Sequence, residues 1–250
     1  MVKKGDRLCS DGFYFSVQPG ITVEKFEIEI EDSRYPIRGA VWVGEYLWAY
    51  TKSNLVGEYG KICKYEYNED NCQLEIVKSY AMEDIKSWGE SMSWDGTDLW
   101  LAADKTIYQI KTPDDPEPEG LEVVATFESP ATLYGISWDE NNEYLWVAFY
   151  DEIVKCRIED DHLKIVETYS SESSIHDILW VNGFLFRVNR SFYPYIYLYS
   201  SSMTNLYQYN IGKHIPEDAV FDAICWDGYN FWGFSVRTNA AYKISGIQVD

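Results

Sequence analysis

Five segments of the chain share one pattern, in which an apolar strand ends in tryptophan, a turn follows, and a second strand ends in aromatic residues. They read RGAVWVGEYLWAY (38–50), GESMSWDGTDLWLAA (89–103), YGISWDENNEYLWVAF (134–149), HDILWVNGFLFRV (176–188) and FDAICWDGYNFWGFS (221–235). The first tryptophans stand at positions 42, 94, 138, 180 and 226, so neighbouring copies are 42 to 52 residues apart. Intervals of this size are typical of a repeat that supplies one four-stranded sheet, and DG or NG between two strands indicates a hairpin. A weaker sixth copy opens the chain as DRLCSDGFYFSV (6–17), with Ser10 in the tryptophan position.

A third strand follows each pair, with an apolar residue, any residue, Lys or Gln, and another apolar residue. Its copies are VEKFEI (23–28), ICKYEY (62–67), IYQIK (107–111), IVKCRI (153–158), LYQYNI (206–211) and AYKIS (241–245). One such sheet cannot bury both of its faces, whereas a closed ring of sheets can. The repeats therefore predict an all-β fold, a six-bladed β-propeller formed by a single domain over residues 1–250, with blades that start near residues 5, 37, 89, 133, 175 and 221. The alternative is a five-bladed ring in which residues 6–30 only complete the last blade.

The copies WDGTDLWLAA (94–103) and IYQIK (107–111) show the blade pattern most clearly. They resemble the six-bladed β-propellers with YVTN, NHL or SMP-30-like repeats, whose blades often read W-D-G…L-W-V-A and then I-Y-x-I. The resemblance covers nearly the whole chain and lies in the repeat architecture. It implies the fold and leaves the individual family open.

The net charge of the chain restricts the classes of partner that we expect. The chain has 21 Lys and Arg against 41 Asp and Glu, a formal net charge of −20. Because nucleic acids and anionic membrane surfaces attract basic proteins, we expect neither as a partner. We find no signal peptide and no run of eighteen apolar residues, so we expect a soluble, cytoplasmic protein. The five cysteines form no CxxC pair. Two alternatives stay open for Cys63 and Cys72, a disulfide across a hairpin or two reduced thiols.

The first strand of each propeller blade runs along the central channel, so one column of the repeat should meet at the channel mouth. Four residues before each aligned tryptophan, or before Ser10, the chain has Asp6, Arg38, Glu90, Tyr134, His176 and Asp222. All six carry polar groups, and convergent polar groups in a concave site are typical of a binding pocket. The other interpretation is that these residues are solvated or paired with each other, as Arg38 with Glu90.

Two long connections are predicted on the same face as this polar column. They are KSNLVGEYGK (52–61) and the Tyr-rich loop NRSFYPYIYLYSSSMTN (189–205), which includes Tyr193 and Tyr195. Long loops on a rigid scaffold are frequently functional, and tyrosines suit contact with a partner or a carbohydrate. The alternative is that YIYLYS is an additional strand packed on its own blade.

Catalytic motifs such as GxSxG, HExxH and the P-loop do not occur in the sequence. His176 beside Asp177 is the catalytic candidate, since a His–carboxylate pair can act as a general base; the same pair can equally be a static hydrogen bond. Asp6, Glu90 and Asp222 are the candidate ligands for Ca²⁺ or another divalent cation. The resemblance implies such an ion in SMP-30-like lactonases, held by one Glu, two Asn and one Asp, but no Asn occupies the six positions here.

Taken together, these patterns favour a non-enzymatic binding or scaffold propeller without a cofactor. We expect it to contact a protein or a small ligand through the channel mouth and the Tyr-rich loop. The alternative is a divalent-metal-dependent hydrolase, of lactonase or esterase type, with its site at the channel mouth.

Overall fold

The computed structural model describes residues 21–29, 36–52, 59–68, 70–83, 85, 89–113, 118–159, 162–171, 174–189, 195–212 and 214–247, with Gly89 and Glu90 described by their backbone alone. These residues form twenty β-strands and no helix. Within the same ranges, no apolar helix is long enough to cross a membrane.

Four blades are antiparallel sheets whose strands follow chain order from the inside out. The first blade contains β2 (Ile37–Val43), β3 (Tyr46–Lys52), β4 (Gly60–Asn68) and β5 (Gln73–Met82). The second contains β6 (Gly89–Trp94), β7 (Asp98–Ala103), β8 (Thr106–Lys111) and β9 (Val123–Glu128). The third contains β10 (Gly135–Asp139), β11 (Tyr144–Ala148), β12 (Glu152–Glu159) and β13 (His162–Ser170). The fourth contains β14 (Ile175–Val181), β15 (Phe184–Asn189), β16 (Tyr195–Ser200) and β17 (Asn205–Asn210).

The fifth blade is completed by a strand from the other end of the chain. Its first three strands are β18 (Ala223–Trp226), β19 (Phe231–Ser235) and β20 (Ala240–Ser245). Strand β1 (Thr22–Ile28) pairs antiparallel with β20, from Thr22 opposite Ser245 to Glu27 opposite Ala240. Without β1, strand β20 would present an open edge, and such edges invite unwanted pairing. The end of β1 also pairs in parallel with β5, which joins the fifth blade to the first.

The inner strands β2, β6, β10, β14 and β18 contact each other in that order, and β18 contacts β2. Small residues permit this close approach. A Cβ atom on Gly39 would lie 2.7 Å from the Ser91 carbonyl carbon, and one on Gly135 would lie 2.8 Å from the Ile178 nitrogen. Both distances are shorter than side chains tolerate, so the two glycines let the blades meet around the axis.

The predicted all-β propeller fold is confirmed. The described sheets form a closed ring of five inner strands, which is the arrangement of the five-bladed alternative. Residues 6–17, which the six-bladed prediction assigned to an additional blade, lie outside the described residues. Residues 23–28 were expected as a third strand, but they form the outermost strand of the fifth blade because β20 leaves an edge to pair with. Residues 206–211 were also expected as a third strand, but most of them belong to β17, because the Tyr-rich β16 takes the third place.

Aromatic stacking between neighbouring blades fills much of the core. Trp138 of the third blade stacks on Trp100 of the second, with ring centroids 5.6 Å apart. Trp180 of the fourth blade stacks on Trp146 of the third at 5.0 Å. The aligned tryptophans are therefore part of the inter-blade packing. Cys63 is a buried cysteine that takes part in no disulfide, which excludes the bridge to Cys72.

Candidate functional site

The five inner strands finish at one end of the propeller axis. We call this the tryptophan end, because Trp42, Trp94, Trp138, Trp180 and Trp226 all line one cavity there. We call the opposite end, at which the inner strands begin, the Arg38 end. The polar column predicted from the sequence belongs to the Arg38 end.

The cavity at the tryptophan end has a volume of about 450 Å³ and receives residues from all five blades. Its lining polar groups are Ser93, Ser137, Glu140, Asn141, Asn182 and Asp227. Trp180 is only 8% exposed, and the buried indole N–H groups of Trp42, Trp94 and Trp180 have no acceptor among the described residues.

Two serine hydroxyls bond to the backbone of tryptophans in the neighbouring blade. The Ser93 hydroxyl accepts a 2.9 Å hydrogen bond from the Trp138 backbone N–H, and the Ser137 hydroxyl accepts one of 2.7 Å from the Trp180 backbone N–H. Each bond joins one blade to the next. The cavity walls are therefore fixed by bonds between blades, in addition to the stacking of their side chains.

Two acidic residues of the hairpin turns at this end already accept hydrogen bonds from neighbouring residues. One oxygen of Asp227 accepts from the backbone N–H groups of Tyr229 and Asn230, and the other accepts from the Trp232 indole at 2.8 Å. Asp95 makes the equivalent bonds in the second blade, including one to the Trp100 indole. In contrast, the exposed Glu140 side chain makes no hydrogen bond or ion pair within the described part of the chain, so its carboxylate is available at the cavity mouth.

Cys225 also lines the cavity, but it is poorly suited to act as a nucleophile. Burial raises the pKa of this thiol well above its ordinary value of 9.0, and the negative charges of Asp227 and Asp177 raise it further. Because the thiolate is the reactive form of cysteine, a thiol held protonated in this way is inert near neutral pH.

At the Arg38 end, Asp177 ties four blades together. It is 1% exposed. One carboxylate oxygen accepts from the Ser91 hydroxyl at 2.7 Å and from the Ile178 N–H at 2.9 Å, and the other accepts from the Ile224 N–H at 2.8 Å. Ser91 in turn accepts from the Ile136 N–H at 3.0 Å. Through these bonds, Asp177 and Ser91 connect the second, third, fourth and fifth blades.

The neighbouring polar column is partly brought together. Arg38 lies 3.8 Å from Asp222, measured between Nη1 and Oδ1. The other Asp222 oxygen accepts from the Val236 N–H at 2.9 Å. His176 is 4% exposed. Irregular strand register at Arg38, Glu90 and His176 marks β-bulges, which commonly redirect side chains.

The remaining predicted residues are more scattered. Tyr134 contacts Tyr150 edge-on at 5.9 Å, in a surface depression of the third blade. Tyr195 lies at the start of β16, where its hydroxyl accepts from the Asn210 side chain at 3.2 Å. Asp6, Tyr193 and the Glu90 side chain lie outside the described residues. The part of the chain that is described contains no group of three His, Cys, Asp or Glu residues arranged to hold a metal ion, and the metal site stays a prediction.

The Tyr-rich segment contributes to a second cleft, between the third and fourth blades, with a volume of about 700 Å³. Arg187 lies over the ring of Tyr197, with its guanidinium carbon 4.5 Å from the ring centroid, and donates to the Ser171 hydroxyl. Burial raises the pKa of the nearby Tyr169 to about 12, and the hydrogen bond to Glu167 adds to this shift. The segment YIYLYS forms strand β16 of the fourth blade, in agreement with the alternative interpretation.

Sequence reasoning missed the cavity at the tryptophan end, although the signal was present. The column of aligned tryptophans that defines the repeat is the same column that lines the cavity. Residues at one repeat position in a closed ring must surround the axis, so five tryptophans in one column predict an aromatic-lined opening.

No family model matches the sequence, and no curated protein matches it. Among solved structures, the glutaminyl cyclase of Myxococcus xanthus superposes with a TM-score of 0.66 at 11% sequence identity, covering 90% of this chain and 96% of that chain. A chain of the mitotic checkpoint complex superposes with a TM-score of 0.47 at 10% identity, covering 82% of this chain and 63% of that chain. At such identities the likeness to the glutaminyl cyclase shows the fold alone, and that fold is the β-propeller.

Proposed function

We propose that this protein is a binding β-propeller whose cavity at the tryptophan end receives a small ligand, either free or as an exposed group of a partner protein. The observation that carries the proposal is that all five blades contribute an indole to one cavity of about 450 Å³. This volume lies within the range of small-molecule sites, which are mostly apolar and aromatic with a few polar groups.

The chemistry of the lining favours binding over catalysis. The described lining residues include no His, Lys or Arg, and their cysteine has a raised pKa. General acid–base catalysis near neutral pH is most often performed by such groups. Trp138 and Trp180 are held by stacking on neighbouring blades and by hydrogen bonds from their backbone N–H groups to Ser93 and Ser137, so this part of the cavity is preformed.

The test is fluorine NMR on protein labelled with 5-fluorotryptophan. The chain has 10 tryptophans, and single Trp→Phe variants assign their resonances. A screen of small amines, carboxylates, neutral alcohols and sugars should yield compounds that shift the resonances of the five ring tryptophans. The fully buried Trp100, Trp146 and Trp232 should shift much less, because they lie outside the cavity. If no compound shifts the ring resonances selectively, the cavity is not a binding site.

A second candidate function is enzymatic. The supporting observation is the superposition along nearly the whole length of a glutaminyl cyclase. Two assays address this candidate: release of ammonia from a peptide that begins with glutamine, and hydrolysis of simple lactones and esters with and without Ca²⁺. Turnover that exceeds the uncatalysed rate and that the Glu217→Gln variant retains would favour an enzyme. Glu217 is the matched control, since it is an exposed glutamate before β18, at the Arg38 end.

A further inference from the structure

The composition of the cavity at the tryptophan end restricts the charge of its ligand. Five tryptophans are among its lining residues, and the faces of indole rings carry partial negative charge. The charged residues among its described lining are Glu140 and Asp227, and neither Lys nor Arg is present. An anionic group entering this cavity would meet no opposite charge in the described lining.

Neighbouring groups give the electrostatic field the same sign. The charges of Asp227 and Asp177 both act on Cys225 in the cavity wall and disfavour its anionic form. An adjoining surface depression, which shares Trp138 and Glu140 with the cavity, is lined by Asp95, Glu143 and Glu159 as well. The basic residue of this depression, Arg157, donates a 2.8 Å hydrogen bond to the Tyr144 hydroxyl and lies over its ring.

We infer that the ligand of this cavity carries an organic ammonium group, seated among the five indoles with Glu140 as its counter-charge; the inference rests on the proposed binding function. Cations are attracted to indole faces, and aromatic cages bind quaternary ammonium groups by this interaction. Glu140 can take part because its carboxylate makes no bond within the described residues, whereas the two Asp227 oxygens already accept hydrogen bonds from Asn230 and Trp232.

The experiment compares three probes of nearly equal shape: choline, the neutral 3,3-dimethylbutan-1-ol and the anionic 3,3-dimethylbutanoate. Affinities are measured by titration against the fluorotryptophan resonances and by calorimetry. Choline should bind about three- to thirty-fold more tightly than the neutral alcohol, the range expected for a cation–π contribution. The carboxylate should bind more weakly than either. Ethanolamine, as a fourth probe, separates a preference for quaternary ammonium from one for primary ammonium.

Two matched variants test the role of the counter-charge. Glu140→Gln should weaken choline binding several-fold and leave the neutral alcohol unchanged, whereas Glu217→Gln should change neither. Both glutamates are exposed, so both variants should keep the melting temperature of the parent protein.

The outcomes separate the two proposals. If the alcohol or the carboxylate shifts the ring resonances as strongly as choline, the cavity is a binding site and the ammonium inference is wrong. If choline binds but Glu140→Gln binds it equally well, the inferred counter-charge is wrong. If none of the probes and no compound of the wider screen moves the ring resonances, the proposed function itself fails.

Discussion

The two ends of the propeller axis differ in their residues and in how far the polar groups among them are already bonded. At the Arg38 end, the described acidic groups already have partners. Asp177 accepts hydrogen bonds from the Ser91 hydroxyl and from the N–H groups of Ile178 and Ile224, and Asp222 lies beside Arg38. At the tryptophan end, aromatic residues surround an open cavity, and Glu140 has no partner within the described residues. The end whose sequence suggests a catalytic centre is therefore the end at which these acidic groups are already hydrogen-bonded or paired.

The difference teaches that convergence of polar residues at a propeller axis does not by itself indicate a ligand. Inner strands that approach closely leave backbone N–H groups that need acceptors, and a buried carboxylate satisfies several of them at once. The cavity lies where the inner strands finish, among the five aligned tryptophans. If this comparison is correct, substitutions at the Arg38 end should mainly change stability, and those at the tryptophan end should mainly change binding.

The largest effect is expected for Asp177→Ala. Removal of the carboxylate leaves the Ser91 hydroxyl and the N–H groups of Ile178 and Ile224 without their acceptor, which should lower the free energy of unfolding by about 3–5 kcal/mol. Urea denaturation measures the change. Asp177→Asn keeps one acceptor oxygen and should lose less, and Glu217→Ala should be neutral. An Asp177→Ala protein as stable as the Glu217→Ala protein would contradict the assigned role of Asp177.

The next largest effect is expected for Gly135→Ala. The added Cβ would lie 2.8 Å from the Ile178 nitrogen and 3.1 Å from the Asp177 Cα, and backbone atoms cannot move aside as a flexible side chain does. We expect a loss of about 1–3 kcal/mol, as for overpacked cores. Gly120→Ala is the matched control, because a Cβ there meets no atom within 4 Å. Equal stability of the two variants in urea would show that the axis is less tightly packed at Gly135 than these distances indicate.

Much of the fold was predictable from the sequence, because repeats act through periodicity alone. The aligned tryptophans correctly placed the inner strands β2, β6, β10, β14 and β18. The assignment of 23–28 and 206–211 failed for a physical reason: third and outermost strands share the same alternation of apolar residues. Their place in a sheet depends on which edge is left unpaired. That is a property of the closed ring and not of the segment.

The site was less predictable than the fold. Repeat alignment correctly assigned Arg38 and Asp222 to one end of the axis, but it did not show that the two would lie beside each other. It also did not show that Tyr134 would contact Tyr150. Whether a channel end is open or filled depends on side-chain volumes and on hydrogen bonds between blades, such as that from Ser91 to Asp177. Such pairings across 86 residues leave no local pattern in the sequence.

An intermediate effect is expected from the Cys225 thiol at the tryptophan end. Folding raises the pKa of this thiol well above 9.0. The corresponding stability is fully present below pH 9 and is lost as the pH rises above it, because the unfolded chain then releases a proton that the folded chain retains. Each pH unit in this window should cost about 1.4 kcal/mol. Cys225→Ala should remove this slope from the pH dependence of urea unfolding, and an unchanged slope would mean that Cys225 ionises in the folded protein as readily as in the unfolded chain.

The smallest effect is expected for the ion pair at the Arg38 end. Arg38 and Asp222 are largely buried, with side chains 16% and 11% exposed, but their charged atoms are 3.8 Å apart, which is long for a charge-assisted hydrogen bond. A double-mutant cycle with Arg38→Met and Asp222→Asn removes the separate cost of the Asp222 bond to the Val236 N–H and isolates the pair. We expect a coupling of about 0.5–1 kcal/mol. Choline binding should be the same in all four proteins of the cycle, since the pair lies at the other end of the axis. A coupling of several kcal/mol, or a loss of choline binding, would show that the two ends are not independent and that the polar column has more than a structural role.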